Sequence, residues 1–329
     1  MNHLFLSVLL TVNPYISRVF EYKPAPGQFI NTLPAATAED TSHTMAQKAE
    51  DAIANNAGGM ICLGAFGGYV VFGFDHPVAN SGTDYDFKIS GNATYSNNTI
   101  DNTRKGGASE PGIVMVSYDA NSNGLPDDAW YELAGSEYYK PETQHNYTVT
   151  YRRPDGLADV PWTDSNDSSS VMPRNSFHKQ DYYPLWAPDE LTFTGTLLAP
   201  NAVNEGESGQ TYYVLYCYDF GYADNHPNNT DGCKFRISWA VDKDGKSVNL
   251  PAIHFVKVYT GIQQVCGWLG ETSTEITGAE DLHPEMKPTM AINETQTSHN
   301  ARKILRGGQM MIIRGNKAYN PLGISIFTY

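Results

Sequence analysis

The chain has 329 residues, enough to bury a sizeable core, and carries 36 acidic against 22 basic side chains for a net charge of −14. That balance argues against nucleic acid and anionic membrane as main partners, because both are held by clustered Lys and Arg. With 21 Tyr, 29 Gly and 19 Pro, the sequence is aromatic, turn-rich and poor in helix formers, which predicts an all-β fold. The expected form is a large β-sandwich or jelly-roll-like domain over 12–285 with one short helix, a linker over 286–300 and a small β tail over 301–329.

The apolar run Leu4–Val12 has no Lys or Arg before it and no small-residue cleavage site, so it makes a poor leader. Export is then expected to depend on sequence ahead of this chain. No run of about 18 apolar residues occurs, so no transmembrane segment is expected. Val12–Leu33 reads as a strand and an entry loop rich in Pro and Gly. Thr41–Asn55 reads as the one helix, capped by Thr41 or Ser42, with Met45, Lys48, Ala49, Ala52 and Ile53 recurring at helical spacing. Met60–Gly64 and Gly68–Phe74 read as strands joined by a hairpin turn at Ala65-Phe66-Gly67. Asp84–Asn92 is another expected strand, followed by the polar loop Ala93–Ser109.

Ile113–Tyr118 and Ala129–Ala134 are strand-like runs flanking an alternation of oxygen donors around a glycine, Asp119-Ala-Asn121-Ser-Asn123-Gly124-Leu125-Pro-Asp127-Asp128. Calcium takes six to eight hard oxygens from a flexible loop, and a D-x-N-x-N-G run supplies them from alternate positions. Asp119, Asn121, Asn123, the Leu125 carbonyl, Asp127 and Asp128 are the expected calcium (Ca2+) ligands. The twelfth position, which an EF-hand fills with Glu, is Trp130, leaving Asp128 or Glu132 to close the loop. The other reading is an Asn/Gly turn without metal.

Asn146–Arg153 alternates as an exposed-face strand. Pro154–Pro188 looks irregular but holds Trp162, Phe177, His178, Tyr182, Tyr183 and Trp186, a set suited either to stacking against a sugar or flat ligand or to pinning a surface loop. Leu191–Leu198, Thr211–Asp219, Lys234–Val241 and Ile253–Thr260 are further expected strands. Between the second and third lies a second group of polar residues, Asp219, Tyr222, Asp224, Asn225, His226 and Asp231, read as a ligand or metal site or as a polar hairpin loop. The four cysteines, Cys62, Cys217, Cys233 and Cys266, include no C-x-x-C pair, and Cys217 and Cys233 on consecutive strands are a candidate disulfide. Val265–Leu282 closes the main domain. In the basic tail, Met310–Arg314 and Lys317–Tyr319 read as strands about Gly315-Asn316, with Gly323–Phe327 as a third.

Several segments resemble a family of secreted Bacteroidetes proteins known as cell surface proteins. They include Phe20–Gly27 (FEYKPAPG), Leu63–Val70 (LGAFGGYV), Glu110–Val116 (EPGIVMV), Trp130–Gly135 (WYELAG), Gly221–Asp224 (GYAD), Trp239–Asp242 (WAVD), His254–Tyr259 (HFVKVY) and Gly270–Glu275 (GETSTE). The resemblance spans about residues 12–285. It implies an exported binding module at the outer surface of a Gram-negative bacterium, preceded in relatives by Ig-like or PKD-like repeats that this chain lacks. It also implies an association with corrinoid uptake through a TonB-dependent outer-membrane receptor. Asn300–Gly323 resembles a C-terminal sorting tail, which implies surface display and no part in chemistry.

These readings converge on a non-enzymatic module that captures a small molecule or glycan. Trp162, Phe177, Tyr182, Tyr183, Trp186, Tyr222, Asp224, Asn225 and His226 are the expected ligand-binding residues, and no catalytic residue is expected. An adhesion or structural protein is the alternative. An extracellular glycoside hydrolase using Asp219, Asp224 or Glu132 is the remaining one, since its carboxyl pair need not be close in sequence.

Overall fold

The computed structural model describes residues 12–96 and 103–288, together with the backbone of four strands in 302–328. Strands hold 36% of the residues against 9% in helix, so the all-β class stands, and the sheets are arranged in a ring in a β-propeller-like manner. Two compact units divide the chain, Met1–Thr289 and Met290–Tyr329.

The larger unit is built on one six-stranded antiparallel sheet. Its order is Arg18–Lys23, Tyr69–Ala79, Ala252–Thr260, Gly112–Ser117, Trp130–Leu133 and Ala240–Val241. Side chains alternate along these strands, and both faces are apolar. On one face Val70, Phe72, Val114, Val116, Val256 and Val258 join a core with Met45, Ala49 and Ile53 of the helix and with Phe87, Ile89 and Phe235. On the other face Tyr69, Ile113, Met115 and Tyr259 meet Tyr147, Val149, Tyr151, Leu191 and Phe193 of a four-stranded sheet. This double burial explains why the central strands read as near-continuous apolar runs.

The helix spans Ser42–Ile53 with Thr41 as its N-cap, and Thr41 and Thr44 form a reciprocal capping box. Its buried residues, Met45, Ala46, Ala49 and Ile53, are spaced as a single apolar stripe. No helix among the described residues is long and apolar enough to cross a membrane.

Four local expectations change. Ile61–Cys62 does not form a hairpin with the following strand; it pairs with Glu275–Ile276, more than two hundred residues away, so Ala65-Phe66-Gly67 is a connection between sheets. Pro154–Pro188 contains a hairpin of its own, Val160–Asp164 with Ser169–Met172, on the edge of the four-stranded sheet. Lys234–Val241 is broken by a 3-10 turn at Ile237–Trp239, whose amide at Ile237 donates to buried Asp86 at 2.7 Å. The four cysteines are free thiols, so Cys217 and Cys233 are not joined.

In the smaller unit Arg302–Arg306, Gln309–Arg314, Lys317–Tyr319 and Ser325–Thr328 form an antiparallel sheet in that order. Arg314 pairs with Lys317; the expected turn at Gly315-Asn316 lies outside the described residues, as do Leu4–Leu10 and residues 97–102 of the polar loop.

Candidate functional site: a carboxylate-lined cavity

The aromatic residues expected to converge on a ligand do not. Tyr182 and Tyr183 are fully buried in the core behind the four-stranded sheet. Tyr183 spends its hydroxyl on the Pro188 carbonyl at 2.8 Å. Trp186 stacks on Tyr22 and Trp162 lies across the sheet edge opposite Ser170 and Tyr151. These four hold the loop down and present no common face to a ligand. Phe177 is exposed and meets the indole of Trp268 edge-on.

The second polar group is likewise dispersed. Tyr222 is buried, its hydroxyl accepting from the Glu137 amide at 3.0 Å. Asn225 is fully buried and braces its own loop, donating to the Tyr218 carbonyl at 2.8 Å and accepting from Ser109 Oγ at 3.0 Å. His226 sits between the Tyr95 hydroxyl, 2.9 Å from Nδ1, and the Tyr218 carbonyl, 2.7 Å from Nε2. Asp219 is exposed and Asp231 pairs with Lys234 at 2.7 Å. Only Asp224 points into a cluster of acids.

The oxygen-rich loop is tied by hydrogen bonds among its own residues. Asp119 accepts from the Asn123 and Gly124 amides at 3.1 and 2.9 Å. Asn121 and Asn123 donate side-chain N–H bonds to the two oxygens of Asp127 at 3.1 and 2.9 Å. Asp128 accepts from the Ala120 amide at 2.9 Å, and the Leu125 amide donates to Asn123 Oδ1 at 2.8 Å. Asn121 Oδ1 accepts from the Asn123 amide at 2.9 Å, so these side chains are bonded to one another and to the loop's own backbone. Gly124 has φ +72°, the left-handed backbone that a glycine adopts without strain.

A separate cavity lies elsewhere in the larger unit. It encloses about 580 Å³ between the sheet of strands Tyr213–Tyr216, Gly106–Ala108 and Thr94–Tyr95 and the segment 266–275. That volume is within the range of small-molecule sites. Phe29, Tyr212, Tyr213 and Trp268 supply aromatic wall, and Glu110, Glu271 and Glu275 supply carboxyls. Trp268 is 53% exposed, with its indole N–H toward the Thr211 carbonyl at 3.4 Å and Phe177 against its ring.

Asp224 organises the polar side of this cavity from behind. Its Oδ1 accepts from the Asn92 and Ala93 amides at 2.7 and 2.8 Å, and its Oδ2 from the Glu275 amide at 2.9 Å. It thereby ties three distant stretches together. Gly91 is required here by space alone, since an added Cβ would lie 2.2 Å from Asp224 Oδ1. Glu110 accepts from the Ser273 amide at 3.2 Å and its carbonyl from Thr274 Oγ1 at 2.8 Å. Glu275 accepts from Ser273 Oγ at 2.9 Å. Ligand oxygens of Glu110, Asp224 and Glu275 all lie within 4.8 Å of one another. Beside them, Glu271 takes the Gln28 amide on Oε1 at 2.6 Å, while its Oε2 is buried with no hydrogen-bond partner.

Burial raises every one of these carboxyls above its ordinary range. Glu271 is pushed up to about 8, with the neighbouring Glu110 charge adding to the effect of burial. Glu110, Asp224 and Glu275 are shifted upward, burial being the largest cause, and the proximity of the other acids adds to it for Glu110 and Glu275. Glu132, a hydrolase candidate by sequence, is raised by burial to about 7 and accepts from Thr196 Oγ1 at 2.7 Å. It lines a different, smaller cavity with His145 and Lys257, so Glu132, Asp219 and Asp224 do not share a site.

Sequence reasoning missed Glu110, Glu271 and Glu275 because they carry no metal-ligand or catalytic spacing. The short segments EPGIVMV, GYAD and GETSTE deliver Glu110, Asp224, Glu271 and Glu275 to this spot, and nothing in their local spacing marks them as partners. No family model and no curated protein matches the chain.

Proposed function

We propose that this is a secreted, surface-displayed module that captures a small polyhydroxylated ligand, a glycan fragment in the first instance, without transforming it. The observation that carries the reading is the 580 Å³ cavity with an exposed Trp268 and the Tyr212 and Tyr213 rings over a carboxyl-rich wall. Aromatic faces take the apolar side of a sugar ring, and carboxyls accept hydrogen bonds from its hydroxyls. A corrinoid enters the proposal through the family resemblance, which also supplies the TonB-dependent receptor, the outer-surface location and the sorting role of the tail. The Asp119–Asp128 loop suits a structural calcium ion through the D-x-N-x-N-G alternation of its oxygen side chains.

Capture is favoured over glycoside hydrolysis on geometry. Glu110, Asp224 and Glu275 gather in one cluster, with an oxygen of each within 4.8 Å of the others, whereas a glycosidase sets its two carboxyls on either side of the scissile bond. The test is calorimetric titration of the full chain with an oligosaccharide panel and with cyanocobalamin. Saturable binding of a sugar that is lost in Trp268→Ala supports glycan capture. Binding of cyanocobalamin alone would move the ligand class to corrinoids, and release of reducing ends from a bound sugar would overturn the non-enzymatic reading.

A further inference from the structure

Four buried or cavity-wall carboxyls gather at one place, and among the described residues none of Glu110, Asp224, Glu271 and Glu275 forms an ion pair with Lys or Arg. Elsewhere in the molecule the buried carboxyl of Asp281 meets His76 at 2.8 Å. Uncompensated acids in a dry site are costly unless a cation or a proton joins them. Carboxylate oxygens select a hard divalent cation, and calcium, with its flexible coordination geometry, suits donors that come from three separate stretches. Oxygens of Glu110, Asp224 and Glu275 fall within 4.8 Å of one another. A second observation points the same way: Glu271, only 4% exposed and on the same cavity wall, leaves Oε2 without any partner.

We propose that Glu110, Asp224 and Glu275, with the free oxygen of Glu271 beside them, bind a calcium ion at the wall of the cavity, and that hydroxyl oxygens of the captured ligand complete its coordination. Asp224 is already fixed by three backbone amides and so serves as the inner ligand. Glu110 and Glu275 stand between it and the cavity, and the open side of the ion faces Trp268 and the tyrosines. The second half of this statement rests on the capture reading; the first half does not.

The experiment separates the two. Chelator-treated full chain carrying Asp119→Asn and Asp127→Asn, which removes the other candidate calcium loop, is titrated with calcium chloride and then with magnesium chloride. About one calcium per chain, held at least tenfold more tightly than magnesium, is expected, with a calcium-dependent rise in melting temperature on the order of 5 °C. Adding Glu110→Gln and Glu275→Gln removes both the binding and the rise. Should that variant fail to fold, Glu271→Gln alone is expected to weaken calcium at least tenfold. A chain with the loop disabled that takes up no calcium at millimolar concentration overturns the proposal and leaves the acids as a proton-sharing cluster. The sugar titration is then repeated with chelator. Binding that survives chelation removes the bridging ion while leaving capture intact, and calcium uptake without any sugar binding removes capture while leaving the ion.

Discussion

Two oxygen-rich regions of this molecule invite comparison, the Asp119–Asp128 loop and the cavity wall made by Glu110, Asp224, Glu271 and Glu275. In the loop, donors come from the same ten residues as the acceptors: Asn121, Asn123 and the amides of Asn123 and Gly124 satisfy Asp119 and Asp127. The loop holds its shape through local bonds and stands at the surface, where Asp127 is kept below the usual carboxylate range by the Asn123 and Asn121 side chains. At the cavity the acids come from three distant stretches, are stripped of water, and are shifted in the opposite direction. The same functional group is therefore stabilised as an anion in one place and destabilised as an anion in the other. Solvent access and the source of the donors decide which.

The comparison is broken most sharply by Asp224→Ala. That change orphans the amides of Asn92, Ala93 and Glu275 inside the protein, and about 3–5 kcal/mol of stability is expected to be lost in chemical denaturation. A loss under 1 kcal/mol would mean that water replaces the carboxyl and the cluster is less dry than drawn.

The pH dependence comes next. A buried acid whose folded pKa is raised keeps its proton when the unfolded chain has released it, so its contribution to stability is full below the unfolded value near 4.5 and is lost as pH climbs through the folded value. Glu271, raised to about 8, sets the window from about 4.5 to 8. In chelator the melting temperature should fall across that window. Glu271→Gln should flatten the fall, and a flat profile in the unaltered chain would contradict the burial of its carboxyl. Calcium should oppose the fall if the ion takes the place of the protons.

Asp119→Ala tests the other region. It removes two amide bonds from a mostly exposed turn, and about 1–2 kcal/mol is the expected loss without metal. A loss that appears only when calcium is present would show that the ion, and not the local bonds, holds the loop. The smallest effect on folding belongs to Trp268→Ala. With 53% of the residue exposed, stability should change by less than about 0.5 kcal/mol, while affinity for the captured ligand drops roughly tenfold or more, a cost of about 1.4 kcal/mol.

Much of the fold is legible in the sequence where periodicity and burial agree. The helix with its Thr41 cap, the strand Gly112–Ser117, the strand Gln144–Arg152 and the long strand Ala252–Thr260 lie within a residue or two of where composition and alternation place them. The misreadings share a cause. Ile61–Cys62 and Gly68 look like the two arms of a hairpin because local signals report turns, not partners, and the partner of Ile61–Cys62 is Glu275–Ile276. Pro154–Pro188 hid a hairpin because its strands, VPWTD and SSVM, are short and lack alternation.

The sequence by itself determined most of the Asp119–Asp128 loop, since its side-chain donors and acceptors lie within ten residues, while the Asp119 amide reaches outside it to His254 Nδ1 at 3.1 Å. It also determined the apolar central strands and the single amphipathic helix, each a matter of period. Only the tertiary structure decided the carboxylate cavity. Glu110, Asp224 and Glu271–Glu275 are up to 165 residues apart, and their meeting depends on cross-sheet pairing and on backbone amides that Asp224 gathers from two other segments. Desolvation, which gives those acids their chemistry, is a property of that assembled interior and is encoded in no local stretch of the chain.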